Sequence, residues 1–123
     1  MRELKFRAWD GSQMLTEENF DFVVSDYNSI IRLDEYGWTE HWVDCVEQYT
    51  GLKDRNGREI YEGDIVNIQG INYYVDFEYG GFWFNNDNRR WKSNRPFTHF
   101  QEINDTEVIG NIHENPELLK EEE

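Results

Sequence analysis

The sequence predicts a mainly β protein: a small barrel or pseudobarrel with SH3-like meander elements and a short C-terminal helix. Three observations predict it. Aromatic residues make up 16% of the chain against 37% for all hydrophobic residues, so the apolar material is concentrated in rings; rings favour strands and bury roughly 150 to 250 Å² each. Short apolar runs recur between Gly, Asn and Asp turn residues, with only two prolines in the whole chain. The string EGDIVNIQGINYYVDFEYGGFWF reads as a Gly-Asp turn, a strand, a Gly turn, a longer aromatic strand and a Gly-Gly hairpin, which together make a meander.

Leu4, Phe6 and Ala8 alternate with Lys5, Arg7 and Trp9, the period-2 signature of a strand with one buried face, and a turn follows at Asp10-Gly11. Phe20, Phe22 and Val24 suggest a second strand, broken at Ser25 to Asn28. Between Ser29 and Cys45 the apolar residues keep neither a period of 2 nor one of 3.6, and mixed loop and strand is the expectation there, with room for a short helix. Val43 to Tyr49 is a strand running into YTGLKDRNGREIYEGDIV, where Asn56-Gly57 fits a type I′ turn with both central residues at positive φ. Tyr73, Val75, Phe77 and Tyr79 alternate with Tyr74, Asp76 and Glu78, and Gly80-Gly81 marks the hairpin into Phe82, Trp83 and Phe84. Glu107 to Ile112 is the last strand. Asn115 as N-cap, Pro116 at the first helical position and Glu117 in the first turn then start the terminal helix. The length, 123 residues, fits one domain spanning 1–123.

Charge and cysteine usage narrow the function classes. Twelve basic residues stand against 26 acidic ones, a net charge of −14, which repels a nucleic-acid backbone on average and disfavours nucleic acid as a partner. The single cysteine, Cys45, excludes an intramolecular disulfide and a multi-cysteine zinc site and fits a reducing cytoplasm. No apolar run approaches the ~20 residues that span a bilayer, so a soluble protein without a membrane partner is expected.

No catalytic pattern emerges. The glycines at 51, 57 and 63 fit turns, and neither a Walker-type nor a dinucleotide-type glycine pattern is present. Asp54, Glu59, Glu62, Asp64, Asp76 and Glu78 are the carboxylates from which an acid–base pair or a hard-cation site would be drawn. In a chain acidic throughout, a solvated face is the simpler reading. His41 and Cys45, four apart, would bring two soft ligands together only on a helix, and no second pair completes a four-coordinate zinc site. Cys45 as a nucleophile needs His41, His99 or His113 beside it in the fold; a small buried thiol is the simpler reading. The expectation is a protein that is not an enzyme and needs no cofactor.

One segment reverses the charge. From Asn85 to Pro96, Arg89, Arg90, Lys92 and Arg95 stand against Asp87 alone, a local +3 that leaves −17 for the rest of the chain. With a Debye length of ~8 Å at physiological salt, such a loop can act apart from distant carboxylates. Trp91 within it can stack on a base or anchor a protein partner. Arg89, Arg90, Trp91, Lys92 and Arg95 are therefore the candidate partner-binding residues.

Three long strings, MRELKFRAWD, QYTGLKDRNGREIYEGDIV and VIGNIHENPELL, lie in this order from one end of the chain to the other. Together they resemble the YopX family of phage and prophage proteins, whereas Gly11 to Val46 carries no family motif. The resemblance implies a mainly β, barrel-like fold and expression inside a bacterial cell, and it brings no catalytic residue with it. The function expected is a noncatalytic protein-binding or assembly module, acting on a host or phage protein in the host cytoplasm and forming a homo-oligomer over an apolar patch or open edge. The alternatives are a nucleic-acid accessory protein using the basic 89–95 loop, or an acidic mimic of nucleic acid. A metal-dependent hydrolase using the central carboxylates stands behind them.

Overall fold

In the computed structural model, which describes residues 4–16, 22–78, 81–86, 93–96 and 105–119, with backbone alone at 34, 78 and 93–96, the buried apolar residues gather into two clusters. They belong to two compact units, Met1–Tyr49 and Thr50–Glu123. The chain is mainly β and contains a curled half-barrel sheet.

The first unit is built on Ala8, Leu15, Phe22, Ile30 and Val43, with Val46 packed against them. Strand β1 (Phe6–Trp9) pairs antiparallel with β2 (Met14–Thr16) on one side and with the first half of β6 (Cys45–Lys53) on the other. The turn between β1 and β2 is made by Asp10, whose Oδ1 accepts the N–H groups of Ser12 and Gln13 at 2.8 Å each. Gly11 supplies a φ of 104°, which a side chain rarely tolerates. These hydrogen bonds, that from Gln13 first, hold the Asp10 carboxyl below its usual range.

The alternation read in β1 holds only in part. Ala8 is buried, but Leu4 lies outside the strand and is 70% exposed. The opposite face is covered as well, because Arg7 is buried and its Nε donates to Glu47 Oε1 at 2.9 Å across the β1–β6 register.

The segment from Ser29 to Cys45, expected as mixed loop and strand with room for a short helix, is strand and turn and contains no helix. It forms β4 (Ser29–Asp34) and β5 (Gly37–Trp42), a hairpin whose register runs from Ser29 opposite Trp42 to Asp34 opposite Gly37. Strand β3 (Phe22–Asp26) pairs with the other side of β4, giving an antiparallel sheet in the order β3-β4-β5. The 2-residue period was hidden because apolar residues stand on both faces of these strands.

The second unit is built on Ile60, Val66, Ile68, Tyr73, Val75, Phe82, Phe84 and Val108. The end of β6 lies beside β7 (Glu59–Tyr61). A five-stranded antiparallel sheet follows the order β11 (Ser93–Pro96), β10 (Gly81–Asn86), β9 (Ile71–Glu78), β8 (Asp64–Ile68) and β12 (Thr106–Asn111). Strands β8, β9 and β10 are the meander expected from the sequence. Register pairs Glu78 with Gly81, and the expected hairpin residues Tyr79 and Gly80 lie outside the described residues.

The turn between β6 and β7 also departs from expectation. Asn56 does not have positive φ; among the described residues Gln69, at 52°, is the one non-glycine that does. Asp54 explains why: its Oδ1 accepts the N–H groups of Asn56 and Arg58 at 2.9 Å, while its carbonyl accepts Gly57 N–H at 3.0 Å. That pattern fixes a type I turn followed by a left-handed residue, and Gly57 at φ 83° fills the left-handed place. The two-residue loop with both central residues at positive φ is instead Gln69-Gly70, between the paired Ile68 and Ile71.

The C-terminal element is one turn of 3₁₀ helix, Pro116–Leu119. Asn115 precedes it as expected, with its carbonyl accepting Leu118 N–H at 3.1 Å. Its side chain turns back toward β12. Among the described residues no helix is long and apolar enough to cross a membrane.

An exposed aromatic sheet face as the candidate functional site

Arg89, Arg90, Trp91 and Lys92 lie outside the described residues; Arg95 belongs to β11, with its backbone opposite Phe84. His99 is also outside them.

Three of the central carboxylates, Asp54, Asp64 and Asp76, accept backbone N–H groups. Asp54 and Asp64 are buried, at 6% and 1% exposure. Beyond its own turn, Asp54 receives Val108 N–H on Oδ2 at 2.8 Å, and Asp64 Oδ2 receives Tyr61 N–H at 2.7 Å. Asp76 Oδ1 accepts the N–H of its neighbour Phe77 at 2.9 Å. Among the described residues no three of these carboxylates come close enough together to hold one ion. The family-like strings therefore encode turns. VIGNIHENPELL does the same with amides: Asn111 Oδ1 accepts His113 N–H at 3.0 Å and Glu114 N–H at 2.9 Å.

His41 and Cys45 sit on strands, which removes the helical spacing that would have paired them. His41 lies in β5 with Nε2 2.8 Å from Thr39 Oγ1, and Cys45 begins β6 opposite Trp9.

A feature that the sequence reading missed lies on the β3-β4-β5 sheet. In an antiparallel pair, residues directly opposite one another share a face. Phe22, Val24 and Ile30 lie on one face, of which Phe22 and Ile30 enter the core. The other face carries three cross-strand rows: Leu33 beside Trp38; Val23, Ile31 and Glu40; and Asp26, Ser29 and Trp42. On it Val23 is 55% exposed, Leu33 45%, Trp38 58% and Trp42 72%. Tyr27 and Tyr36, in the turns at the two ends, are more exposed still.

Single exposed apolar residues are ordinary, but a contiguous set on one face is not. Fully burying a side chain such as Leu33 is worth about 1.5 to 3 kcal/mol, and here several such gains are left unrealised together.

The acidic groups on this face are placed by backbone geometry. Glu40 alternates with Trp38 and Trp42 along β5. Asp26 arrives through a β-bulge: the register shifts between Val24 and Asp26, so Asp26 stands opposite Ser29 on the outer face, whereas even spacing from Phe22 would have sent it inward. Arg32 pairs with Phe22 and Thr39 and so belongs to the inner face. Among the described residues of β3, β4 and β5, the outer face thus carries carboxylates and no cation. The signal available in the sequence was IIRLDEYGWTEHW itself, apolar on both sides of the strand.

Fold and face together define a small, mainly β protein whose motif side chains make turns and whose first unit shows an aromatic sheet surface. The YopX protein family model matches residues 5–120, nearly the whole length, and the chain belongs to the YopX family. It is also similar to the crystal structure of protein EF1440 from Enterococcus faecalis, with a TM-score of 0.65 and 27% identity, covering 98% of this chain and 100% of that one. No curated protein matches the sequence.

Proposed function

We propose that the protein is a noncatalytic protein-binding or assembly module acting inside the bacterial host of a phage or prophage, with the outer face of β3-β4-β5 as its contact surface. The observation that carries the reading is the cross-strand set Val23, Leu33, Trp38 and Trp42, exposed together on one face of a sheet whose other face builds a core. Exposed Trp is the residue type that most often concentrates binding energy, because one rigid ring desolvates a large area at small entropic cost. The binding reading gains further support from Asp54 and Asp64, which spend hydrogen-bonding capacity on backbone amides rather than on a cleft.

The test is capture from a bacterial host lysate at physiological salt by the wild-type chain and by a Trp38→Ser/Trp42→Ser double variant. The expected outcome is a protein retained by the wild type and lost by the variant, with thermal melting unchanged because both rings are exposed. Equal retention by the two chains overturns the assignment of this face.

A further inference from the structure

The outer face of β3-β4-β5 has a charge pattern as well as an apolar one, and the pattern selects among partners. On this face Glu40 has Trp38 and Trp42 before and after it along β5 and Ile31 beside it on β4, and Asp26 stands in the same cross-strand row as Trp42. No described Lys or Arg on these strands neutralises the two carboxylates from the same face. Trp38 and Trp42, at 58% and 72% exposure, offer π-faces on either side of Glu40 along one strand.

A cation seated over a tryptophan face and beside a carboxylate gains from both the ring quadrupole and the charge. Arginine suits this place best, since its planar guanidinium stacks on an indole and reaches a carboxylate with two parallel N–H groups. An acidic or uncharged apolar partner would instead bury the charges of Glu40 and Asp26 with no cation to offset them, even though Asp26 Oδ1 accepts Tyr27 N–H at 2.7 Å. A second copy presenting the same face would bring like charges together across a two-fold axis, because an isologous contact sets each patch on its own image.

Resting on the reading that this face is the contact surface, we infer that its occupant is a cationic segment of a partner protein. Arginine or lysine side chains stack on Trp38 and Trp42 and pair with Glu40 and Asp26. Interleaved apolar side chains cover Leu33, Ile31 and Val23. Trp38 and Trp42 lie on one face with Val23, Ile31 and Leu33 in adjoining cross-strand rows, the contiguous apolar arrangement that marks interaction sites.

The probes are three synthetic 12-residue peptides in which leucine alternates with arginine, with serine or with glutamate. Binding of each to the full chain is followed by isothermal titration at physiological salt. Four proteins are compared: wild type, Asp26→Asn/Glu40→Gln, Trp38→Ser/Trp42→Ser, and a charge control, Glu114→Gln/Glu117→Gln, neutralised equally but in the second unit. The expected result is binding of the arginine peptide to wild type and control alike, weakened about fivefold or more by either change on the face. The glutamate peptide should not bind.

Equal weakening in the charge control would reduce the effect to the overall negative charge of the chain and overturn the inference. Binding of the serine or glutamate peptide as tightly as the arginine one, lost only in the tryptophan variant, would overturn the cationic preference while leaving the face as a contact surface. Self-association seen by light scattering and abolished by Trp38→Ser/Trp42→Ser would make a second copy the occupant and likewise overturn it. Arginine-peptide binding indifferent to the tryptophan variant would remove the contact surface itself.

Discussion

Asp54 and Val108 are 54 residues apart in sequence, and the Oδ2 of one accepts the N–H of the other at 2.8 Å, inside the second unit. With Oδ1 the same carboxylate accepts Asn56 and Arg58 N–H groups, so one side chain shapes the β6–β7 turn and ties it to β12. Asp54→Ala leaves three amides without this acceptor. Water can reach those of the exposed Asn56 and Arg58, but Val108 is buried. The expected loss is about 2 to 4 kcal/mol, since an unsatisfied buried amide costs ~1 to 3 kcal/mol and exposed ones less. Urea denaturation checks this, with an unchanged slope showing that stability rather than compactness has moved.

Gly110 and Asn115 interlock in a similar way at the end of β12. A methyl group on Gly110 would stand 2.5 Å from Asn115 Oδ1 and 2.8 Å from its Cγ. Gly110→Ala therefore displaces the amide that receives Asn111 N–H at 3.3 Å. The expected cost is on the order of 1 to 3 kcal/mol. Adding Asn115→Ala to Gly110→Ala should cost less than the sum of the two single changes, and a double-mutant cycle measures the difference.

Backbone conformation gives a third prediction. Gly57→Ala should cost about 1 to 2 kcal/mol through its left-handed φ alone, as nothing lies within 4 Å of the added carbon. Asn56→Gly should also destabilise, by roughly 0.5 to 1 kcal/mol, because the native φ there is negative and glycine only enlarges the unfolded ensemble. A type I′ turn would make Asn56→Gly neutral or stabilising, so thermal or chemical melting of this variant tells the two turns apart.

The buried Arg7–Glu47 pair, 2.9 Å between Nε and Oε1, should behave asymmetrically on substitution. Arg7→Met alone leaves Glu47 at 4% exposure without its guanidinium partner and should cost about 3 to 5 kcal/mol. Arg7→Met/Glu47→Leu should recover much of that loss, since no buried charge remains. Equal stability of the single and double variants would contradict the argument.

The turn at Asp10 supplies a pH dependence. Its folded carboxyl lies below the ordinary value because the ionised form accepts Gln13 and Ser12 N–H groups. A depressed folded value means that its stabilising contribution is present above the unfolded value of about 3.9 and is lost as pH falls through the folded one. The difference in stability between wild type and Asp10→Ala should therefore be constant near neutrality and shrink in the acid range below the unfolded value. Carboxyl NMR titration of Asp10 should give a midpoint under that of a model aspartate.

Much of the fold was legible because turn chemistry is local. The meander β8-β9-β10, the last strand and the terminal helical turn can be read from Gly, Asn, Asp and Pro placed between apolar runs. The hairpin β4-β5 was not legible, because Ile31, Leu33, Trp38 and Trp42 put apolar groups on the face that should have been polar. The residues that hid the strand are those that form the candidate site. The type of the turn at Asn56-Gly57 was misread for a different reason: a dipeptide preference was outweighed by the carboxylate of Asp54, whose second oxygen is held from across the unit.

By itself the sequence determined the β class, the YopX family and the positions of the main turns, since these depend on residues close together in the chain. Only the tertiary structure decided where the charges of the turn strings and the rings of β5 stand. It sent Asp54 and Asp64 to backbone amides and gathered Trp38, Trp42 and Leu33 on one open face. A β-bulge at Ser25 turned Asp26 onto that face with them. Burial and sidedness are set by register between strands, and register is fixed by long-range pairing that no local pattern contains.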